Sequence, residues 1–253
     1  MFENPYLWHT HVTTYDTDPD RRLRLSSQLK LQQEVGEMQL AERGAGFGKL
    51  LEAGIAFVLT RTRSVIFRSP LLGERMVIRT WPRGTQGAQF FRCYEFLSEQ
   101  SGELLISSVS AFALVDTVGH RPLRPRVFYE KFPDVLADID LQTACPDPQK
   151  TAPNQGAEPV GTVKVTYSMT DWNHHLNNTV YADLLTDHMP DEAFGKRFSS
   201  FEIEYLREAL PGETVALSVL EQTTENGVET ALFGAHDRGE CFRARAVWKK
   251  EEK

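Results

Sequence analysis

The 253-residue chain runs through the same order of elements twice, and this repeat restricts its fold more than any single motif. In the first copy, LWHTHVTTY (7–15) alternates as a strand does, and the polar corner DTDPDRR follows. Leu25, Leu29, Leu31, Val35 and Met38 then recur at helical spacing until Gly44 and Gly46 close the run. Four strand-like runs come next, at 56–67, 75–81, 89–97 and 104–116, with the turn SEQSG joining the last two. The second copy opens with a strand at 162–169 and the corner TDWNHH. A shorter helix begins near Asn177–Asn178 and must end before Pro190. Strand-like runs follow at 199–206, 213–221, 228–236 and 241–249. The clearest local echo sets FRSPLLGERMVI (67–78) against LREALPGETVAL (206–217), an offset of 139, while the helical regions echo at about 151.

A strand, a central helix and a four-stranded antiparallel sheet make an α+β unit. Two such units in one chain can pair their sheets as the subunits of a dimer do. Between them, Pro133, Pro146, Pro148, Pro153 and Pro159 interrupt a stretch with neither helical nor strand period. A structureless loop of that length is unusual inside one compact domain, so it reads as a linker. The expected division is a first unit over 1–132, a linker over 133–160 and a second unit over 161–253.

Composition narrows the function classes. Three scattered cysteines, Cys93, Cys145 and Cys241, fit neither a disulfide framework nor a zinc pattern and point to a reducing compartment. The net charge of -7 argues against general nucleic-acid binding. The chain has no apolar run of the ~18 residues that span a bilayer, and its start has no signal-peptide pattern, so a cytoplasmic protein is expected. Residues 1–135 carry 17 Lys and Arg against 15 Asp and Glu, whereas 136–253 carry 11 against 20. Within 61–92, seven arginines meet only Glu74. That window reads either as the solvated face of strands or as a docking patch for an acidic partner.

The segment Asp171-Trp172-Asn173-His174-His175-Leu176-Asn177-Asn178 lies between a strand and a helix start. If extended, it points Asp171, Asn173 and His175 to one side. Together they supply a carboxylate, an amide and an imidazole, which suit positioning a water, binding a carbonyl and moving a proton. Each also has a structural use: Asp171 as a turn cap, Asn173 as a turn residue, His175 as a hydrogen-bonded, partly buried histidine. Adjacent His174 and His175 lack the spacing of a helical zinc pair, so no metal and no other cofactor is expected. Glu208 ends a strand just before Pro211-Gly212, where the first copy has Ser69. The first corner offers Asp20, Arg22 and Arg24 in place of Asp171, Asn173 and His175, so the full polar set belongs to the second copy alone.

These residues resemble the acyl-ACP thioesterases of plants and bacteria over nearly the whole chain, about 7–249. That family carries a D-x-N-x-H-[hydrophobic]-N-N motif, met here by Asp171, Asn173, His175, Leu176, Asn177 and Asn178, and a glutamate about 33 residues beyond the histidine, met by Glu208. The resemblance implies two tandem hotdog domains, the first shaping an apolar acyl tunnel and the second supplying the chemistry. It also implies hydrolysis of fatty acyl-ACP to free fatty acid and ACP, ending fatty acid synthesis. Glu208 is then the general base, His175 and Asn173 contact the thioester carbonyl or orient a carboxylate, and Asp171 orients or attacks directly. Acidic ACP is the implied partner, with Arg61, Arg63 and Arg68 as candidate docking residues. Plant members usually carry a cysteine beside the glutamate, long taken as a nucleophile; here Ala209 stands there. They also begin with a plastid-targeting segment that this chain lacks, which points to a bacterial protein. An acyl-CoA thioesterase or a hydratase on the same fold, or a non-catalytic acyl-binding protein, is the alternative, and both monomer and homodimer are compatible with the repeat.

Overall fold

A computed structural model describes residues 4–133, 135–136, 139, 141–193, 196–224 and 227–249. The first half contains β1 (Tyr6–His11), α1 (Leu25–Glu42), α2 (Phe47–Glu52), β2 (Ile55–Ile66), β3 (Arg75–Gln86), β4 (Gln89–Ser98) and β5 (Leu104–Asp116). The short β6 (Pro122–Leu123) and α3 (Pro125–Lys131) follow. The second half contains β7 (Glu158–Lys164), α4 (Val180–Asp187), β8 (Arg197–Tyr205), β9 (Thr214–Thr224), β10 (Gly227–His236) and β11 (Gly239–Lys249). Each predicted strand and both central helices are present, but the strand expected at 162–169 runs instead from Glu158, inside the stretch read as a linker, to Lys164, with a 3-10 turn at Tyr167–Met169. α4 starts at Val180 with Thr179 as its N-cap, slightly later than the Asn177–Asn178 pair predicted, because Asn177 folds an Asx turn whose Oδ1 accepts from the Thr179 N–H (2.9 Å) and hydroxyl (2.8 Å).

The strands form one antiparallel sheet, ordered β1-β3-β4-β5-β2-β8-β11-β10-β9-β7, with β6 added to β5. The join between halves is the antiparallel pair β2–β8, in which Arg61 faces Glu204 and Arg63 faces Glu202. The two units therefore share a continuous hydrogen-bond ladder. They also share a core: Leu25, Leu29 and Val35 of α1 cluster with Tyr181, Leu184 and Leu185 of α4, and the two helices touch. α1 ends as its glycines predict. Gly44, at φ 81°, donates to the Ala41 carbonyl (3.0 Å) and Ala45 donates to that of Leu40 (2.8 Å), a Schellman closure that needs the left-handed residue glycine supplies.

The stretch predicted as a linker is strapped to the sheet face opposite the helices. Ile139 and Cys145 pack with Trp81, Cys93 and Val109. The Gln149 N–H donates to Glu202 Oε1 (2.6 Å), the Thr151 N–H to Glu204 Oε2 (3.0 Å), and Arg243 Nη1 to the Thr151 carbonyl (2.6 Å). Glu202 and Glu204 are consequently buried, a placement that requires partners. The strap's N–H groups, Arg245 Nη2 (2.6 Å from Glu202) and Arg243 supply them.

The two halves superpose in their hydrogen bonding. Leu71 donates to Glu74 Oε2 (3.0 Å) as Leu210 does to Glu213 Oε2 (2.7 Å), which holds the offset of 139. At the corners, Asp18 N donates to the Arg22 carbonyl as Asp171 N does to that of His175, and Arg21 and His174 are both left-handed, at φ 62° and 63°. The corner offset is thus 153. The first-half counterparts of Asp171, Asn173 and His175 are Asp18, Asp20 and Arg22, one alternate position earlier than the set read from sequence. That reading took its register from the helices, whose entrances differ by the Asn177 turn.

Candidate active site

The corner that carries Asp171, Asn173 and His175 follows β7 and a 3-10 turn, Tyr167–Met169, and is closed by an isolated bridge between Thr170 and Leu176. It is a tight turn rather than an extended stretch. The His174 N–H donates to the Asp171 carbonyl (3.0 Å), and Asp171 Oδ1 accepts from the Asn173 N–H (2.8 Å). One Asp171 oxygen therefore holds the turn, and the Asn173 and His174 side chains are exposed. The Leu176 N–H donates to the Ala209 carbonyl (2.8 Å), which staples the corner to the segment following β8. That staple brings His175 Nε2 to 3.7 Å from Glu208 Oε2, with the side chains 34% and 50% exposed. The gap is too long for a direct hydrogen bond, and a water about 2.8 Å from each atom fits at its apex.

Behind this pair lies an aromatic support. Tyr181 is buried, its ring 4.8 Å from that of Phe242 and 5.4 Å from that of Tyr205, while the Tyr205 hydroxyl donates to the Asn178 carbonyl (3.0 Å). Burial pushes the Tyr181 phenol well up, opposed by a hydrogen bond from the Ala209 backbone beside Glu208. On the open side, Trp172 meets Phe47 of α2 edge-on at 3.9 Å. α2 leads into a second cluster, Leu40, Leu50, Ile55, Phe90 and Phe128, with Phe57 packed on it. The first half thus presents an aromatic, apolar region next to a polar pair held by the second half.

Sequence reasoning missed what lies deeper under α1. Gln28, Gln32 and Gln39 are buried on its sheet-facing side, and Arg92, two residues along β4 from Phe90, is buried against them. Arg92 Nη1 donates to Gln39 Oε1, and Gln28 donates to Ser64 (2.7 Å). The layer under α1, beside which the resemblance implies an apolar tunnel, is therefore polar in part of its interior. The glutamines stand at helical spacing beside the leucines, a signal masked by reading only the apolar residues.

The candidate docking arginines are dispersed. Arg61 Nη2 donates to Gln89 (2.5 Å), Arg63 lines a small cleft with Glu202, Glu229 and Arg245, and Arg68 grips Glu74 with both amino groups (2.8 and 2.7 Å). In the β2–β8 register Arg68 lies roughly 36 Å along the strands from Glu208, at about 3.3 Å per residue. The positive charge of the 61–92 window is largely answered by neighbouring acids: Arg75 by Glu99, Arg79 by Glu95 and Arg83 by Asp147.

None of the three cysteines lies in the corner; all are buried, and burial pushes each thiol up to about 12. Native protein at pH 8 is accordingly expected to react negligibly with a thiol reagent within minutes and to expose all three thiols on denaturation. A fast-reacting thiol in the native state would restore a thiolate to consideration. Among the described residues, no three His, Cys, Asp or Glu side chains cluster as a metal site would require, and no helix is long and apolar enough to cross a membrane.

Comparison with known proteins agrees with this architecture. The family model for the acyl-ACP thioesterase N-terminal domain matches residues 3–127, and that for the acyl-ACP thioesterase C-terminal domain matches 154–250. A chloroplastic dodecanoyl-[acyl-carrier-protein] hydrolase of Cinnamomum camphora is 25% identical over 94% of this chain, which spans 66% of that protein's length. An acyl-ACP thioesterase structure from Bacteroides thetaiotaomicron superposes with a TM-score of 0.86 at 19% identity, covering 97% of this chain and 98% of that one. The 12:0-ACP thioesterase of Umbellularia californica superposes at 0.84 and 22% identity, with 98% of each chain covered. With both domain models matched in order and the tandem hotdog sheet in common, the chain belongs to the acyl-ACP thioesterase family.

Proposed function

We propose that the protein hydrolyses fatty acyl-ACP thioesters, releasing a free fatty acid and the carrier thiol. The observation that carries this is the His175–Glu208 pair, set beside an apolar aromatic region and present in the second half only. Glu208 takes a proton from a water as that water attacks the thioester carbonyl. His175 and Asn173 donate to the carbonyl oxygen as it becomes an oxyanion. The C–S bond then breaks, and the proton held by Glu208 passes to the departing thiolate. Asp171 shapes the turn that presents His175 and Asn173. Its Oδ1 already accepts a backbone N–H, which favours orientation over direct attack. The acyl chain lies along Phe57, Phe90 and Leu50, toward the polar layer at Arg92.

The test is release of thiol from acyl-ACP and from the matching acyl-CoA, with product acid analysed by chain length. Higher kcat/KM on acyl-ACP is the expected result. Equal rates on both point to a general thioesterase, a product without free thiol to a hydratase, and retained acyl ligand without turnover to a binding protein. In the same assay, Arg61→Glu or Arg63→Glu is expected to raise KM for acyl-ACP more than for a short acyl-CoA if these residues meet the acidic carrier. Equal changes would assign them to the sheet alone.

A further inference from the structure

The peptide that carries Glu208 is gripped from the β10–β11 turn. The Glu208 carbonyl accepts from Arg238 Nη2 (2.8 Å) and from His236 Nε2 (3.1 Å). His236 Nδ1 accepts the Arg238 N–H (3.1 Å), which fixes the proton on Nε2 and makes that nitrogen the donor to Glu208. Arg238 is itself held in a fork by Glu213, with Nε to Oε1 at 2.8 Å and Nη2 to Oε2 at 2.9 Å. From that position its Nη1 stands 3.9 Å from Glu208 Oε1, on the opposite side of the carboxylate from His175.

The first half shows what changed. Glu74, the counterpart of Glu213, accepts the same backbone N–H but is gripped by Arg68, the counterpart of Arg207, on the strand end itself. There the residue in the place of Glu208 is Ser69, which has no carboxylate to aim. In the second half the guanidinium comes instead from the facing turn, and Arg207 is exposed. From the turn, Arg238 bonds the Glu208 carbonyl and stands beside its carboxylate at once. The exchange of arginines therefore accompanies the appearance of the glutamate.

We infer that Arg238, locked by Glu213, is a positioning residue that aims the Glu208 carboxylate at the reacting water. The inference rests on Glu208 being the base proposed above. It is tested with the full chain and a short acyl-CoA, so that carrier docking does not enter. Arg238→Ala is expected to lower kcat by about 10- to 100-fold with KM within about twofold, the size of effect that misplacing a reacting group produces. Arg238→Lys is expected to recover part of the loss, because an ammonium reaches the carbonyl but cannot fork to Glu213. Glu213→Gln is expected to act in the same direction, and the double variant to be no worse than Arg238→Ala, since both break one clamp. Glu74→Gln breaks the matching pair in the first half and is expected to leave kcat unchanged. Folded Arg238→Ala with kcat within twofold of the parent overturns the inference, as does a Glu74→Gln variant that loses kcat equally. If Glu208→Gln keeps activity, the reading beneath it fails instead.

Discussion

Glu208→Gln is expected to lower kcat for thioester hydrolysis by about 10²- to 10⁴-fold with KM little changed, the range attached to a general base. Glutamine keeps the shape of the side chain and leaves the Glu208 carbonyl free to accept from Arg238 and His236, so the peptide stays in place. What it removes is the acceptor for the water's proton, 3.7 Å from His175. The Glu208 side chain is half exposed and makes no short ion pair, so the melting temperature is expected to move by no more than the few degrees that about 1 kcal/mol produces. Steady-state kinetics on acyl-ACP alongside a thermal melt check both halves of this expectation. Activity within tenfold of the parent, in a protein that melts normally, would move the chemistry to another group, with Asp171 first in line. A single-turnover experiment in ¹⁸O water would then show label in the enzyme carboxylate.

Most of the fold was legible because alternation and helical spacing are local properties. Strands such as 56–67 and 104–116 alternate along their own sequence, and the echo at 139 fixes which strands correspond. That His175 and Glu208 belong together was legible only through the resemblance to the family motif, since the repeat marks each as the end of an element without pairing them; the structure sets them 3.7 Å apart. What escaped depends on distant chain segments. Glu202 and Glu204 alternate as solvated residues would, yet they are buried beneath the strap, whose backbone N–H groups they accept. The strap has no period of its own, so nothing in its sequence announces where it lies. Arg238 stands 30 residues from Glu208 in a hairpin turn, and its role becomes visible only when β10 and β11 are laid beside β8. Asp171 shows the converse: the residues alone left both a turn cap and a catalytic group open in sequence, and the Asx turn with Asn173 gives the first a geometric basis.

Gly234→Val is expected to destabilise the protein by about 3 kcal/mol, a fall of roughly 6–12 °C in Tm for a chain of this size. Gly234 faces Phe242 across the β10–β11 ladder, and a Cβ added there would stand 2.0 Å from one ring carbon and 2.5 Å from the next. The ring has nowhere to retreat, since Phe242 is fully buried and packed 4.8 Å from Tyr181. Tyr181 in turn touches the Ala209 backbone beside Glu208, so a displaced Phe242 pushes on the support of the His175–Glu208 pair. The variant should therefore lose kcat as well as stability, even at temperatures where it remains folded. Pairing it with Phe242→Leu relieves the clash and is expected to recover part of the Tm, a coupling that distant substitutions do not show. A Gly234→Val protein melting within 2 °C of the parent would mean that the ring repacks freely, and the aromatic support would then have no claim on the position of Glu208.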